Sequence, residues 1–343
     1  MKTVNARNVN EAYVIGVNLL RAEGRYEDSR VGGVLVMDQP VTTTYRKPLE
    51  RVLFNKARDA NPFFHLMEGL WMLAGRNDVD WLSEYTGGIA KYSDDGVTFH
   101  GAYGHRWRNW FNKDQLIETV HLLRKDPGTR RAYIAMWDPI TDMNADGLDF
   151  PCNVGIAFRL NDGKLDMTVF NRSNDIIWGA YGANVVHMSM LQEYMAGMIN
   201  AAVGQYHQVS NNFHAYVDTL EKVGTIDPLP EDLYSEGQVE KYSMMDDART
   251  WHADLLNFMA KPTEREFYSN SFFSEVAVSM AVVWDYHKSG EYLDALAACA
   301  EIGADDWRFV CIQWIKKRME NYAAKNDSER RSRQTVSHDT NEQ

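Results

Sequence analysis

Between Asp149 and Asn184 the chain gathers a thiol, Cys152, directly after Pro151; an Arg172-Ser173 pair; the carboxylate of Asp175; and the amide of Asn184. A cysteine thiolate is a nucleophile. An arginine beside a hydroxyl offers the donor fork that a phosphate-like anion requires, and an amide can donate and accept along the edge of a base. Each also has a plainer reading. A cysteine is commonly a small buried hydrophobe, arginines usually form a solvated face, and an asparagine opening a helix is a good N-cap.

Other places carry related chemistry. Arg130 and Arg131 stand together before a strand as a second cationic cluster, and Arg30 sits in a possible anion loop ahead of Gly32-Gly33. His214 and Tyr216 alternate onto one face of an extended segment, where they can donate to a sugar hydroxyl or simply pack. Glu68 lies inside residues 61–75, a stretch apolar almost all round. A carboxylate there must be paired or carry a shifted pKa.

The elements that hold these groups follow from periodicity and punctuation. Helices are predicted over 7–24, 61–75, 115–125 and 184–200, the second with Pro62 in its first turn. Strands are predicted over 32–37 and 132–137, and a hairpin joins 154–160 to 165–170 through Asn161-Asp162-Gly163. Beyond about 217 the character changes to four helices, 244–259, 272–288, 292–302 and 306–322. The last stretch, 323–343, is polar without an apolar period and is expected to be a disordered tail.

With 343 residues, 45% of them hydrophobic and 24% charged, the chain has an ordinary soluble composition. A net charge of -12 argues against nucleic acid polymer as a partner, although a few converging arginines can still hold one phosphate. Three cysteines without metal-ligand spacing, and no apolar leader or membrane-length run, predict free thiols, no metal and a cytoplasmic location. Cys299 and Cys311 fall in helical apolar patterns and read as core.

Taken in order, Pro151-Cys152, Arg172-Ser173-x-Asp175 with Gly179 and Asn184, and His214-x-Tyr216 resemble the core signature of the thymidylate synthases and the related pyrimidine-nucleotide hydroxymethylases. Upstream, Glu68-Gly69-Leu70-Trp71 with Gly75, Tyr103-Gly104-x-x-Trp107-Arg108, and Asp126-Pro127-x-x-Arg130-Arg131 match further motifs of the family. The likeness runs from about residue 30 to 216. It implies an α/β (α+β) fold, a mixed sheet packed by helices, with sheets back to back in a homodimer. One catalytic domain would then cover 1–322, its part from about 217 a helical extension.

The resemblance also implies roles. Cys152 would add to pyrimidine C6, and C5 would attack the one-carbon unit of 5,10-methylenetetrahydrofolate, the co-substrate. Arg172 would lower the thiol pKa and grip the nucleotide 5′-phosphate with Ser173, Arg30, and Arg130 and Arg131 of the partner subunit. Glu68 would be general acid and base, Tyr103 a proton relay at C5, and Asp175 a contact to the pterin, with Ile89 and Trp107 on the folate side. His214 and Tyr216 would hold the 3′-hydroxyl. Asn184 would read uracil, where cytidylate-specific relatives carry aspartate.

The chain departs from the family's synthases at four places. Residues 87–92 replace the tryptophan that shields the methylene intermediate, the chain ends without a short apolar tail, Asn153 replaces the histidine after the nucleophile, and the turn to Asn184 is one residue longer. Hydride transfer needs a dry, closed site. The first two losses therefore predict water capture, making 5-hydroxymethyl-dUMP from dUMP. The alternatives are a thymidylate synthase closed by the C-terminal helices, a dCMP or CMP hydroxymethylase, and a non-catalytic binding protein, for which a retained Cys152, Glu68 and Asp175 serve no purpose.

Overall fold

The computed structural model describes residues 1–29, 31–226 and 232–339, with side chains through 325. Arg30, expected in the anion loop, lies outside the described residues. In chain order the elements are β1 (Lys2–Ala6), α1 (Val9–Glu23), β2 (Arg25–Ser29), β3 (Gly32–Val36), β4 (Val41–Tyr45), α2 (Pro62–Leu73), α3 (Val79–Tyr85), α4 (Tyr103–Arg108) and α5 (Gln115–Lys125). There follow β5 (Tyr133–Ala135), β6 (Asn153–Asn161), β7 (Lys164–Asn171), β8 (Asn174–Asp175), α6 (Asn184–Met198), β9 (Ala202–Ser210) and β10 (Phe213–Tyr216). The last five are α7 (Val217–Val223), α8 (Trp251–Ala260), α9 (Val278–Lys288), α10 (Tyr292–Ala298) and α11 (Asp305–Asp339).

The expected mixed sheet is there, in the order β1-β4-β9-β7-β6-β5, and a second sheet, β2-β3-β10-β8, stands beside it. The 3.6-residue and two-residue periods locate the helices and the hairpin closely. Asp162 and Gly163 both take positive φ, as a tight hairpin turn requires. Along β7, Leu165, Met167 and Val169 are buried while Thr168 and Phe170 are not, so this sheet has one core face and one partly open face.

Helices are layered on the core face. Gln192 of α6 donates to the Leu165 carbonyl of β7 at 2.8 Å, so α6 lies on the sheet. A Cβ at Gly69 would meet Met190 Sδ at 2.5 Å, so the glycine leaves room for Met190 of α6 to pack against α2. On the far side of α2, Phe63 meets Trp284 of α9 and Trp314 of α11, with ring centroids 5.4 and 5.5 Å apart. The C-terminal helices therefore extend the same core.

Two predicted segments differ. Residues 244–250 precede α8 as turns, because Asn270 Oδ1 accepts from the Asp246 and Asp247 N–H groups, 2.8 Å each, and diverts them from a helical ladder. Helix α11 continues to Asp339, through most of the stretch expected to lack structure. Among the described residues, no helix is long and apolar enough to cross a membrane.

Candidate active site

Cys152 stands at the mouth of β6, half-buried. The next strand, β7, delivers Arg172 to it: the Arg172 N–H donates to the Cys152 carbonyl at 3.0 Å, Nε donates to Pro151 O at 3.0 Å, and Nη2 lies 3.9 Å from Sγ. From α4, Tyr103 Oη accepts from the Asn153 N–H at 3.5 Å. The end of α2 presses against Gly104, where a Cβ would fall 2.0 Å from the Met72 carbonyl, and this close approach fixes Tyr103 beside the thiol.

Asn184 opens α6 and reaches the same place. Its Oδ1 accepts from Asn153 Nδ2 at 3.5 Å and its Nδ2 donates to Asn174 Oδ1 at 3.3 Å. The extra residue before it is absorbed by a π-helical segment, Ile176–Ala183, with non-helical φ and ψ at Gly182. A π-turn holds one more residue than an α-turn, so an insertion need not rotate the helix that follows. Asp175 caps this segment, its Oδ1 accepting from the Ile177 and Trp178 N–H groups at 2.7 and 2.8 Å.

Burial dominates the electrostatics. It pushes the Cys152 thiol above its ordinary value, with Asp149 adding to the rise, although Arg172 opposes it. Arg172 thus lowers the thiol as expected, but desolvation of the thiolate outweighs one partly solvated guanidinium in the free chain. Burial, then the charge of Asp149, raises Glu68 from 4.5 to about 8. His187 Nε2 is 3.4 Å from Glu68 Oε2, but burial lowers that imidazole to about 3. It is neutral and donates Nε2–H to the His65 carbonyl at 3.2 Å, so the contact is no ion pair.

Glu68, Trp71, Ile89, Tyr92, Tyr103 and Asp149 line one cavity of about 200 Å³. Every described residue lining it lies between Glu68 and Asp149. None comes from the C-terminal helices. Ile89 and Tyr92 of the replaced segment sit at its wall, and Trp71 and Phe99 supply the aromatic surface.

The remaining predicted residues divide. Ser173 follows Arg172 directly and is half-buried. In the second sheet β8 and β10 set Asp175 opposite His214, whose ring lies 5.8 Å from that of Tyr216. Asp175 Oδ2 and His214 Nδ1 are buried without a partner among the described residues. Arg130 and Arg131 are exposed ahead of β5 and enter no ion pair among the described residues. Trp107 is fully buried and does not line the cavity.

Two residues escape the sequence patterns. Arg106, fully buried, binds Asp142 through two nitrogens (2.8 and 2.9 Å) and the His100 carbonyl, bracing the loop before Tyr103. Asp149, three residues before Cys152, faces Glu68 across the cavity. A carboxylate in a polar loop carries no periodic signal, and only its closeness to Glu68 in space marks it.

The family model described as thymidylate synthase matches residues 50–234. A deoxyuridylate hydroxymethyltransferase of Pseudomonas phage M6 is 43% identical over 340 residues, covering 95% of this chain and 97% of the relative. Proteins of the same name from Bacillus phage SP01 (40% over 191 residues; 52% of this chain, 50% of the relative) and Delftia phage PhiW-14 (30% over 234; 65% and 64%) are also similar. With its motifs, its cavity and a relative matched along nearly its whole length, the chain belongs to the thymidylate synthase family.

Proposed function

We propose that the chain converts dUMP to 5-hydroxymethyl-dUMP, taking the one-carbon unit from 5,10-methylenetetrahydrofolate and the hydroxyl from water. The carrying observation is the meeting of the Cys152 thiol, the Tyr103 hydroxyl and the Asn184 amide at the mouth of β6, in a chain whose near-full-length relative is named for that reaction. Cys152 adds to C6 and makes C5 a carbon nucleophile. Burial raises the free thiol, so its proton must pass to a base of the site or to solvent as the sulfur adds to C6.

Glu68 near a pKa of about 8 can give and take a proton at neutral pH, as serving O4 and the leaving folate nitrogen requires. Tyr103 takes part at C5. Arg172, with Nη1 uncommitted among the described residues, and Ser173 hold the 5′-phosphate, with Arg30 assigned to the same anion from its sequence position alone. His214 and Tyr216 take the 3′-hydroxyl, and Asp175 the pterin, with Ile89 beside the folate. Asn184 pairs with uracil, and Asn153 Oδ1, buried and without a partner among the described residues, supports a polar edge close to it.

The partly open face of the larger sheet supports a back-to-back homodimer. The row Tyr133, Ala157, Thr168, His207, Thr44 crosses five strands in register, and none of these five is buried in the single chain. Arg130 and Arg131, exposed beside this face, then reach the phosphate of the other subunit. The test is a covalent complex with 5-fluoro-dUMP and the folate. An adduct on the peptide carrying Cys152 is expected; a protein that binds both without an adduct has another function.

A further inference from the structure

We propose that Asp149 is the general base that activates the water captured by the exocyclic carbon, an assignment that rests on the hydroxymethylation reading above. Asp149 lines the same cavity as Glu68 and Tyr103 and stands three residues from the nucleophile. One oxygen is anchored: Oδ2 accepts from the Gly101 N–H at 2.8 Å. The other, Oδ1, accepts no hydrogen bond among the described residues and lies 2.8 Å from where a Cβ on Gly101 would stand.

The anchor is itself rigid. Arg106 donates to the His100 carbonyl from Nε and Nη2, at 3.1 and 2.9 Å, while its bond to Asp142 and the contact of His100 Nε2 with Asp142 Oδ1 at 2.7 Å close the loop. A carboxylate held by one oxygen and open at the other is the geometry of a general base. Glu68 serves O4 and the leaving folate nitrogen in this reading, which leaves the second carboxylate of the cavity to take the water proton. Two carboxylates in one cavity with unlike surroundings take unlike roles. Burial raises Asp149 too, but the Gly101 N–H, His100 and Arg106 pull it back, with Asp94 opposing them. The charge of Asp149 also bears on Glu68, Tyr103 and Cys152.

The step balances without an oxidant. Once tetrahydrofolate has left, the water oxygen bonds to the exocyclic carbon and one water proton passes to Asp149. The carbon–carbon π pair moves into the ring toward O4; its return restores the C5–C6 double bond and expels the Cys152 thiolate. Asp149 then gives its proton to solvent.

Two clocks in a single turnover test this. Tritium release from dUMP labelled at C5 reports steps before water attack, and 5-hydroxymethyl-dUMP reports water attack itself. For Asp149→Asn, tritium release should stay within about threefold while product formation slows about 10²-fold; an added thiol should trap the waiting carbon as a thioether, and Asp149→Glu should recover part of the rate. Product at the wild-type rate, or equal slowing of both clocks with the 5-fluoro-dUMP adduct intact, overturns the assignment. If Asp149→Asn does not fold, Gly101→Ala keeps the carboxylate but displaces it; slowing of the product clock alone, about 10-fold, supports the base, and equal slowing overturns it. Thymidylate from the wild-type protein overturns the functional reading and this one with it, and product mass tells that failure from the others.

Discussion

On one side of helix α2, Phe63 is fully buried against Trp284 and Trp314; on the other, one helical turn and a half along, Glu68 stands in a cavity with its proton held by burial. The same twelve-residue helix thus carries a stability surface and a reactive surface. The first has aromatic partners from the C-terminal helices and gains from area. The second has a carboxyl that lowers stability when ionised, a cost that the acid–base role proposed for it accounts for.

Substitutions on the two sides should therefore separate stability from turnover. The largest effect on folding is expected for Phe63→Ala, a loss of about 3–5 kcal/mol seen as a lower denaturant midpoint, with turnover per folded molecule nearly unchanged. Lost turnover at full stability would show that the C-terminal helices work on the site after all. Glu68→Gln should do the converse, with kcat down about 10²-fold and no loss of stability near pH 7.

The sign of the pH dependence follows from the raised pKa. Glu68 is protonated in the folded chain up to about pH 8 but ionises near 4.5 when unfolded. Its ionisation favours the unfolded state, so its cost is absent below about pH 4.5, grows as pH rises and is complete above about 8. Wild-type stability should fall across that window more steeply than that of Glu68→Gln; parallel curves would show the carboxyl to be solvated. The smallest effect belongs to the rim, where Lys288 of α9 meets Glu84 of α3 at 3.2 Å in the open. Lys288→Ala should change stability by less than about 1 kcal/mol and turnover not at all, as thermal melts and steady-state rates will register.

Legibility in the sequence followed the same division. Helix α2 was readable because Pro62, an apolar run and Gly75 mark it, and α5 because its apolar period ends at Asp126-Pro127. The thiol, Arg172, Tyr103 and Asn184 were readable as motifs and do converge. Of the second sheet, β3 and β10 were readable as extended segments, but β2 (RYEDS) is short and polar and its pairing is set by tertiary contact. Residues 244–250 were misread because Asn270, twenty residues on, takes their N–H groups. Trp107 matched a motif and is buried in the core, whereas Asp149 matched none and lines the cavity.

Whether water or hydride completes the reaction is the central claim, and weighing the product decides it. Incubated with dUMP and 5,10-methylenetetrahydrofolate, the wild-type protein should give a nucleotide heavier by about 30 mass units, the gain of CH₂O, with tetrahydrofolate as the second product. A gain of about 14, with dihydrofolate formed, would contradict it.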